Sequence, residues 1–385
     1  MHIGIDATFL PRDHRGMGMV VRNFLQGWQN LKLDKEHKLT FLTFKPKLLE
    51  GIKEECAHLG DCFTFSQAPE DLDVCWYPWD RADVLLPCAK VMTMHDVLVW
   101  KEEFKRKKYR DWSVLMHKLD KVATVSQTVK NLALELLGDP LNKITVCHNS
   151  INEIFLKSFE HIDLFTEAKR KEFAAKYTDS HPYVVFIGNP VEHCKNILGL
   201  IRGLKLLSED FPNHRILSVG PKPDFSIPFL KKLFPDKSAA YKKELEAELN
   251  KNADLVYFTG QLTAEELMHA YVHCDAFTLC SSYEGFCLPL IEAMACSAIC
   301  IASRDSCIPE TGGDVPFYYS PNQPEKFAEV LKQVLQLQAE GDPQDVLKER
   351  KKAGMQRAVL FSPTNNAQNM LKIFTEAVEA HKKQN

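Results

Sequence analysis

What most constrains this chain is a repeated alternation of short apolar runs with longer stretches of helical spacing. Strand-like runs stand at His2–Asp6, Leu39–Phe44, Val74–Tyr77, Lys90–Met94, Lys121–Val125 and Lys143–Cys147. A second set follows at Tyr183–Ile187, Arg215–Val219, Leu255–Phe258, Ala276–Leu279 and Ile299–Ala302. Strands that alternate with helices pack into parallel sheets covered on their faces, so the expected fold class is α/β. At 385 residues the chain is too long for one compact core and long enough for two. Between the two sets, Ile154–His181 reads as a loop and a charged helix (Thr166–Tyr177), which makes it the expected linker. The expected division is one unit over 1–165 and another over 182–362. No internal repeat or low-complexity tract interrupts it.

Composition narrows the function classes. A net charge of −3 gives no electrostatic case for nucleic acid. The twelve cysteines form no C-x-x-C pair and no Cys/His cluster at zinc spacing. Most sit beside apolar residues, as free cysteines do in a reducing compartment. The first residues, MHIGIDATFLPRDHRG, lack the basic-then-apolar layout of a signal peptide. No run approaches the roughly 20 apolar residues that a membrane span needs. The reading is of a cytoplasmic protein, peripheral at the inner face of the plasma membrane if it meets a membrane at all.

The densest chemistry lies in SSYEGFCLPLIEAMACSAICIAS, Ser281 to Ser303. Glu284 falls in a loop with Gly285, Phe286 and Cys287, and a helix opens at Leu288-Pro289, proline being favoured at a helix start. Glu292 then lies in about the first turn of that helix. Free N–H groups and the helix dipole make such a start a ready phosphate site. Glu292 is placed to accept sugar hydroxyls, and Glu284 to reach past the phosphate. A glycosidase carboxylate pair is a second enzymatic reading, since it needs a carboxyl separation of roughly 5 to 10 Å. Two solvated glutamates at a loop–helix joint are the bland one.

The run E-G-F-x-L-P-x-x-E-A-M-A-C resembles the Glu-x7-Glu signature of the retaining glycosyltransferases of family four. That resemblance implies the GT-B fold, with two Rossmann-like doubly wound parallel-sheet domains facing a central cleft. It also implies that the last helix, 364–385, crosses back onto the N-terminal domain. By resemblance, Glu284 lies beside the donor sugar, Gly285 to Leu288 bind sugar and phosphate through their backbone, and Glu292 holds the ribose hydroxyls.

Further segments carry the same resemblance. Tyr183-Val-Val-Phe-Ile-Gly188-Asn189 looks like the family's phosphate-binding strand and turn, with Lys195 matching its lysine. Asn189 stands where the family usually has arginine. Gly260, Gln261 and Leu262 correspond to the loop beside the nucleobase, and Thr263 with Glu266 forms a capping box behind them. Near the N-terminus, I-G-I-D-A followed by Gly16 and Gly18 resembles the family's first strand and glycine loop. It is not a dinucleotide fingerprint, because Val21 stands where the third glycine belongs. His95, at the end of a strand, matches the histidine that meets the transferred sugar; a histidine bonded to backbone at a strand end is the plain alternative. Asn149 matches an asparagine of a strand-end turn and reads as structural. Trp76, Tyr77 and Trp79 near Asp80 read as an aromatic wall for a sugar or as core.

The resemblance implies an NDP-sugar-dependent hexosyltransferase acting with retention on a hydroxyl of a glycan or lipid-linked glycan. Mannose is the first candidate, and surface polysaccharide or lipopolysaccharide the expected product. Glu284, Lys195 and His95 would be the catalytic group. No Asp-x-Asp stands at the site, so no metal or other cofactor is expected. The basic, aromatic-interleaved segment 101–121 reads as a contact for anionic lipid or as the wet face of a helix. A catalytically impaired nucleotide-sugar-binding homologue and a GT-B sugar-nucleotide epimerase are the alternatives.

Overall fold

The computed structural model describes residues 1–384 except 14–15, 98–111, 113, 139–141, 161–165 and 226–236. It divides into two compact units. The first comprises Met1–Asn152 and Phe361–Asn385, the second Glu153–Leu360.

In the first unit, seven parallel strands run in the order β3-β2-β1-β4-β5-β6-β7. They are β1 (His2–Asp6), β2 (Lys38–Thr43), β3 (Asp61–Thr64), β4 (Val74–Tyr77), β5 (Ala89–Met94), β6 (Lys121–Thr124) and β7 (Ile144–Val146). Helices α1 (Gly16–Asn30), α2 (Leu49–Cys56) and α3 (Gln127–Leu137) connect them. The closing helix, Pro363–Gln384, packs on α1, β4, β5 and β6. Its buried Met370, Ile373, Phe374 and Ala377 recur at helical spacing and enter the same core as Ile3, Phe24, Trp28 and Trp76. Phe24 meets Trp76 edge-on with ring centroids 4.9 Å apart, and Phe374 lies 6.0 Å from Trp76. The chain's end is thus part of this unit's core.

The second unit holds six parallel strands in the order β10-β9-β8-β11-β12-β13. These are β8 (Tyr183–Ile187), β9 (Arg215–Val219), β10 (Val256–Gly260), β11 (Ala276–Leu279), β12 (Cys300–Ser303) and β13 (Phe317–Tyr319). Its helices are α4 (Glu167–Tyr177), α5 (Ile197–Lys205), α6 (Lys237–Lys251), α7 (Ala264–His273), α8 (Leu288–Ala295), α9 (Pro324–Glu340) and α10 (Val346–Ala358). The charged helix α4 packs on α7 within this unit. Phe173 is buried against Tyr183, and Tyr177 donates to Glu266 at 2.7 Å.

Both units are doubly wound α/β sheets. Each has a switch point where strand order reverses, between β1 and β4 in one and between β8 and β11 in the other. Loops that leave the carboxyl ends of two such strands diverge to opposite faces and leave a crevice for a ligand. Two edge strands, β3 and β13, were absent from the expectation. Both are short and paired on one side only, so they carry little local signal. The expected Leu39–Phe44, Lys90–Met94, Lys121–Val125, Lys143–Cys147, Leu255–Phe258 and Ile299–Ala302 are each present with ends shifted by a residue or two.

Candidate functional site

In the second unit the chemistry gathers at the β8/β11 switch point. β8 leads into Gly188, whose φ of +144° is open only to glycine, and the stem of Lys195 packs over it. Asn189 Oδ1 then accepts the Val191 N–H at 3.3 Å, closing a local turn. A short 3-10 turn, His193–Lys195, follows, and Asn196 caps α5 by accepting the Gly199 N–H. This brings Lys195 opposite the loop that leaves β11.

There Lys195 Nζ donates to both carboxylate oxygens of Glu284, at 2.7 and 2.9 Å. Ser281 Oγ donates to Glu284 Oε1 at 2.5 Å, and the Glu284 backbone N–H donates to Ser306 Oγ at 2.9 Å. Buried Ser303 donates to the Ser281 carbonyl and ties this loop to β12. The side chains of Lys195 and Glu284 are only 22% and 12% exposed. Burial disfavours the Lys195 ammonium, but the Glu284 carboxylate reverses that effect and holds the lysine above its ordinary range.

Beyond Glu284 the backbone passes through Gly285 and Phe286 to Cys287, whose buried Sγ lies 3.8 Å from that of Cys307. Leu288 opens α8 with Pro289 behind it. Glu292 sits on the second turn of α8, not the first, because Leu288 is the first helical residue. Its carboxyl accepts the Tyr271 hydroxyl at 2.9 Å. Burial lifts Glu292 to about 7, with the Tyr271 hydrogen bond pulling the other way. Gly260 ends β10 at φ +72°, and its carbonyl accepts the Gly220 N–H; Gln261 and Leu262 lead from it to the Thr263–Glu266 capping box, which closes in both directions.

The first unit has a separate constellation. Gly16 and Gly18 lie not in a loop but in the first turn of α1. Gly18 donates its N–H to Asp13 Oδ2 at 3.1 Å, and a Cβ there would come within 1.9 Å of the Asp13 carbonyl oxygen. Arg15, from the same segment, falls outside the described residues. His95 follows β5. Its ring Nε2 donates to the Pro78 carbonyl at 2.8 Å, and its backbone N–H donates to Asp80 Oδ1 at 2.8 Å. The histidine is therefore bonded to backbone through Nε2. Trp76, Tyr77 and Trp79 are all buried core residues, and Trp79 with Asp80 also borders a cavity of about 1000 Å³ together with Phe9, Asp13, Met17 and Arg81. That cavity lies beyond the carboxyl ends of β1 and β4, at this unit's own switch point.

Sequence reasoning passed over Ser281, Ser306 and Tyr271. Serines and a buried tyrosine have no local signature for such roles: Ser281 and Tyr271 donate to the carboxylates of Glu284 and Glu292, and Ser306 accepts the Glu284 backbone N–H, across 3, 21 and 22 residues. The segment 101–121 lies mostly outside the described residues.

The lysine–glutamate pair thus lies at the switch point of a parallel sheet with a helix start beside it, where such sheets leave a ligand crevice. Residues 167–356, just under half of the chain, match the family model "Glycosyl transferases group 1". The serotype-specific mannosyltransferase WbdA of Escherichia coli is 22% identical over 333 residues, covering 84% of this chain and 36% of that protein. The chain thus spans about a third of the length of this relative. The O-antigen chain mannosyltransferase RfbU of Salmonella typhimurium is 25% identical over 252 residues, covering 64% of this chain and 61% of that one.

Among solved structures, a glycosyltransferase from Rickettsia africae superposes with a TM-score of 0.71 at 18% identity, covering 98% of each chain. Anabaena HepE, solved with UDP and glucose, gives 0.71 at 15% identity, covering 97% of this chain and 99% of that one. These neighbours establish the fold as that of GT-B glycosyltransferases, two Rossmann-like parallel-sheet domains. Among the described residues, no helix is long and apolar enough to cross a membrane.

Proposed function

We propose that this protein is a retaining glycosyltransferase that moves a sugar, mannose first among candidates, from a nucleotide-diphosphate-sugar to a hydroxyl of a glycan or lipid-linked glycan. The observation that carries the reading is the Lys195–Glu284 pair at the β8/β11 switch point, beside the start of α8. A diphosphate there gains a charge-assisted contact from Lys195 and backbone N–H groups from Gly285 to Leu288. The Lys195 ammonium is then shared between Glu284 and the incoming phosphate, which leaves the Glu284 carboxylate, still held by Ser281, to orient the donor sugar and steady positive charge on its ring. Glu292 accepts the ribose hydroxyls in place of, or beside, Tyr271. With charge on the leaving diphosphate met in this way, the reading needs no resident metal ion. The mannosyltransferases among the relatives favour mannose.

The first unit's cavity is read as the acceptor side. Asp13 and Asp80 supply hydroxyl-accepting carboxylates among the apolar Phe9, Met17 and Trp79, and His95 stands beside Asp80. A nucleotide-sugar-binding homologue without turnover is the second reading. It is favoured by Asn189, which turns its side chain onto the Val191 N–H where a cation would meet phosphate.

Thermal unfolding with UDP, GDP, ADP and dTDP tests both readings. A nucleotide at 100 times its Kd adds about 2.7 kcal/mol of stability. Stabilisation by one nucleotide, followed by transfer of label from its mannose, glucose or rhamnose derivative to a glycan acceptor, is the expected result. Stabilisation without transfer to any acceptor selects the second reading. Conversion of the nucleotide-sugar with no acceptor present points to an epimerase, and no stabilisation by any of the four overturns the donor site itself.

A further inference from the structure

The loop that carries Glu284 is braced from outside by the turn that follows β12. Arg304 donates its N–H to the Tyr319 carbonyl at 3.0 Å, which ties the start of the turn to the end of β13. The Ile308 N–H then bonds the Asp305 carbonyl at 3.2 Å, so Ser306 and Cys307 are the two central residues. Ser306 has φ +52°, and Cys307 has φ −79° and ψ 0°. These values match a type II′ turn, whose first central position belongs to glycine. A serine there carries a strained backbone.

At Ser180 and Ser297, the other described serines with positive φ, the strain has a local reason. They stand just past the ends of α4 and α8, where a left-handed residue closes a helix, and their N–H groups bond the carbonyls of Ala174 and Met294. Ser306 closes no helix. Among the described residues its hydroxyl forms one hydrogen bond, accepting the Glu284 N–H at 2.9 Å. The next residue, Cys307, brings its Sγ within 3.8 Å of that of Cys287. The turn therefore touches the donor loop at Glu284 and again three residues on. Glycine at 306 would relieve the backbone but leave the Glu284 N–H, beside a largely buried carboxylate, without this acceptor.

We propose that Ser306 is a positioning residue. Its strained backbone aims a hydroxyl that fixes the Glu284 main chain, and with it the carboxylate that Lys195 and Ser281 hold. Keeping a side chain where glycine fits best gives up stability for a fixed loop. The effect on turnover rests on the proposed function, whereas the effect on the Lys195–Glu284 pair is read without any substrate.

Variants of the full chain separate backbone strain from the work of the hydroxyl. Ser306→Ala and Ser306→Gly both remove it and differ only at Cβ. The alanine variant should melt roughly 2 to 4 °C below the glycine one, the reverse of their order in a helix. Ser306→Asn tolerates positive φ and offers a carbonyl acceptor. The first readout is the coupling between Lys195→Ala and Glu284→Ala in urea denaturation. The factor by which their separate losses fail to multiply should shrink about threefold or more in the Ser306→Gly background, and recover in part with Ser306→Asn. The second is turnover: kcat should fall roughly tenfold in Ser306→Gly while KM for the nucleotide-sugar stays within about twofold, again with partial recovery by asparagine. Ser297→Gly relieves positive φ at a helix end and is the control, with coupling and kcat as in the parent. Unchanged coupling in Ser306→Gly, a glycine variant that melts below the alanine one, or an equal loss from Ser297→Gly would each overturn the inference. Absence of transfer in the parent would instead sink the proposed function, and the coupling would still decide on Ser306.

Discussion

Lys195 and Glu284 stand 89 residues apart in the chain, yet the lysine ammonium donates to both oxygens of the glutamate. They meet because β8 and β11 are neighbours at the point where strand order reverses, so the loops leaving them face one another. Each thus serves as the other's counter-ion.

That pairing sets the first prediction. Lys195→Ala leaves a largely buried carboxylate without its cation, and Glu284→Ala leaves the reverse. Each single change should cost about 2 kcal/mol, and the double change clearly less than the sum. Urea denaturation of the four proteins gives the coupling directly; additive losses would mean that the pair contributes nothing to stability. Both single variants should also lack transfer activity under conditions where they remain folded.

Glu292 provides a pH-dependent prediction. Its carboxyl is raised to about 7 in the folded protein from the ordinary 4.5. The folded state therefore holds a proton that the unfolded chain releases, so this group's stabilisation is complete below about 4.5 and is lost as pH rises through 7. The loss amounts to about 3 kcal/mol at most. Glu292→Gln keeps an acceptor for Tyr271 and cannot ionise. It should melt like the parent at pH 5 and above it at pH 8. Equal melting at both values would show that Glu292 titrates normally.

Ser281→Ala should separate orientation of Glu284 from donor binding. It removes the 2.5 Å hydrogen bond to Oε1 and leaves Lys195 in place. On the proposed function, kcat should fall roughly tenfold while the nucleotide's effect on melting stays unchanged. Ser281→Thr, which restores a hydroxyl, should recover part of the rate. A fall in nucleotide binding of similar size would assign Ser281 to the binding frame instead.

In the first unit, Gly18→Ala and Gly16→Ala should differ. A Cβ at Gly18 meets the Asp13 carbonyl at 1.9 Å, and backbone must move, at a cost of about 2 to 3 kcal/mol. Gly16 has φ +45° and nothing within 4 Å, so only conformational strain of about 1 kcal/mol is expected. Comparable urea midpoints for the two variants would contradict the packing seen at Gly18.

Local pattern was enough for the α/β class and for much of the scaffold. His2–Asp6, Val74–Tyr77, Tyr183–Ile187, Arg215–Val219 and Ala276–Leu279 are strands with the bounds their apolar runs indicate, because central parallel strands are buried on both faces and must be apolar throughout. The ordered motif from Glu284 to Cys296 and the lysine at 195 were both legible, and folding brings Lys195 onto Glu284. What the sequence could not contain was partnership. Edge strands β3 and β13 exist through hydrogen bonds to one neighbour rather than through their own composition. Ser281, Ser306 and Tyr271 acquired roles only when folding carried them to Glu284 and Glu292. His95 was legible as a strand-end histidine, but its tie to the Pro78 carbonyl depends on where β4 and β5 lie side by side. Residue periodicity is a property of the neighbouring few positions, whereas the identity of a buried group's partner depends on the strand order that brings distant loops together.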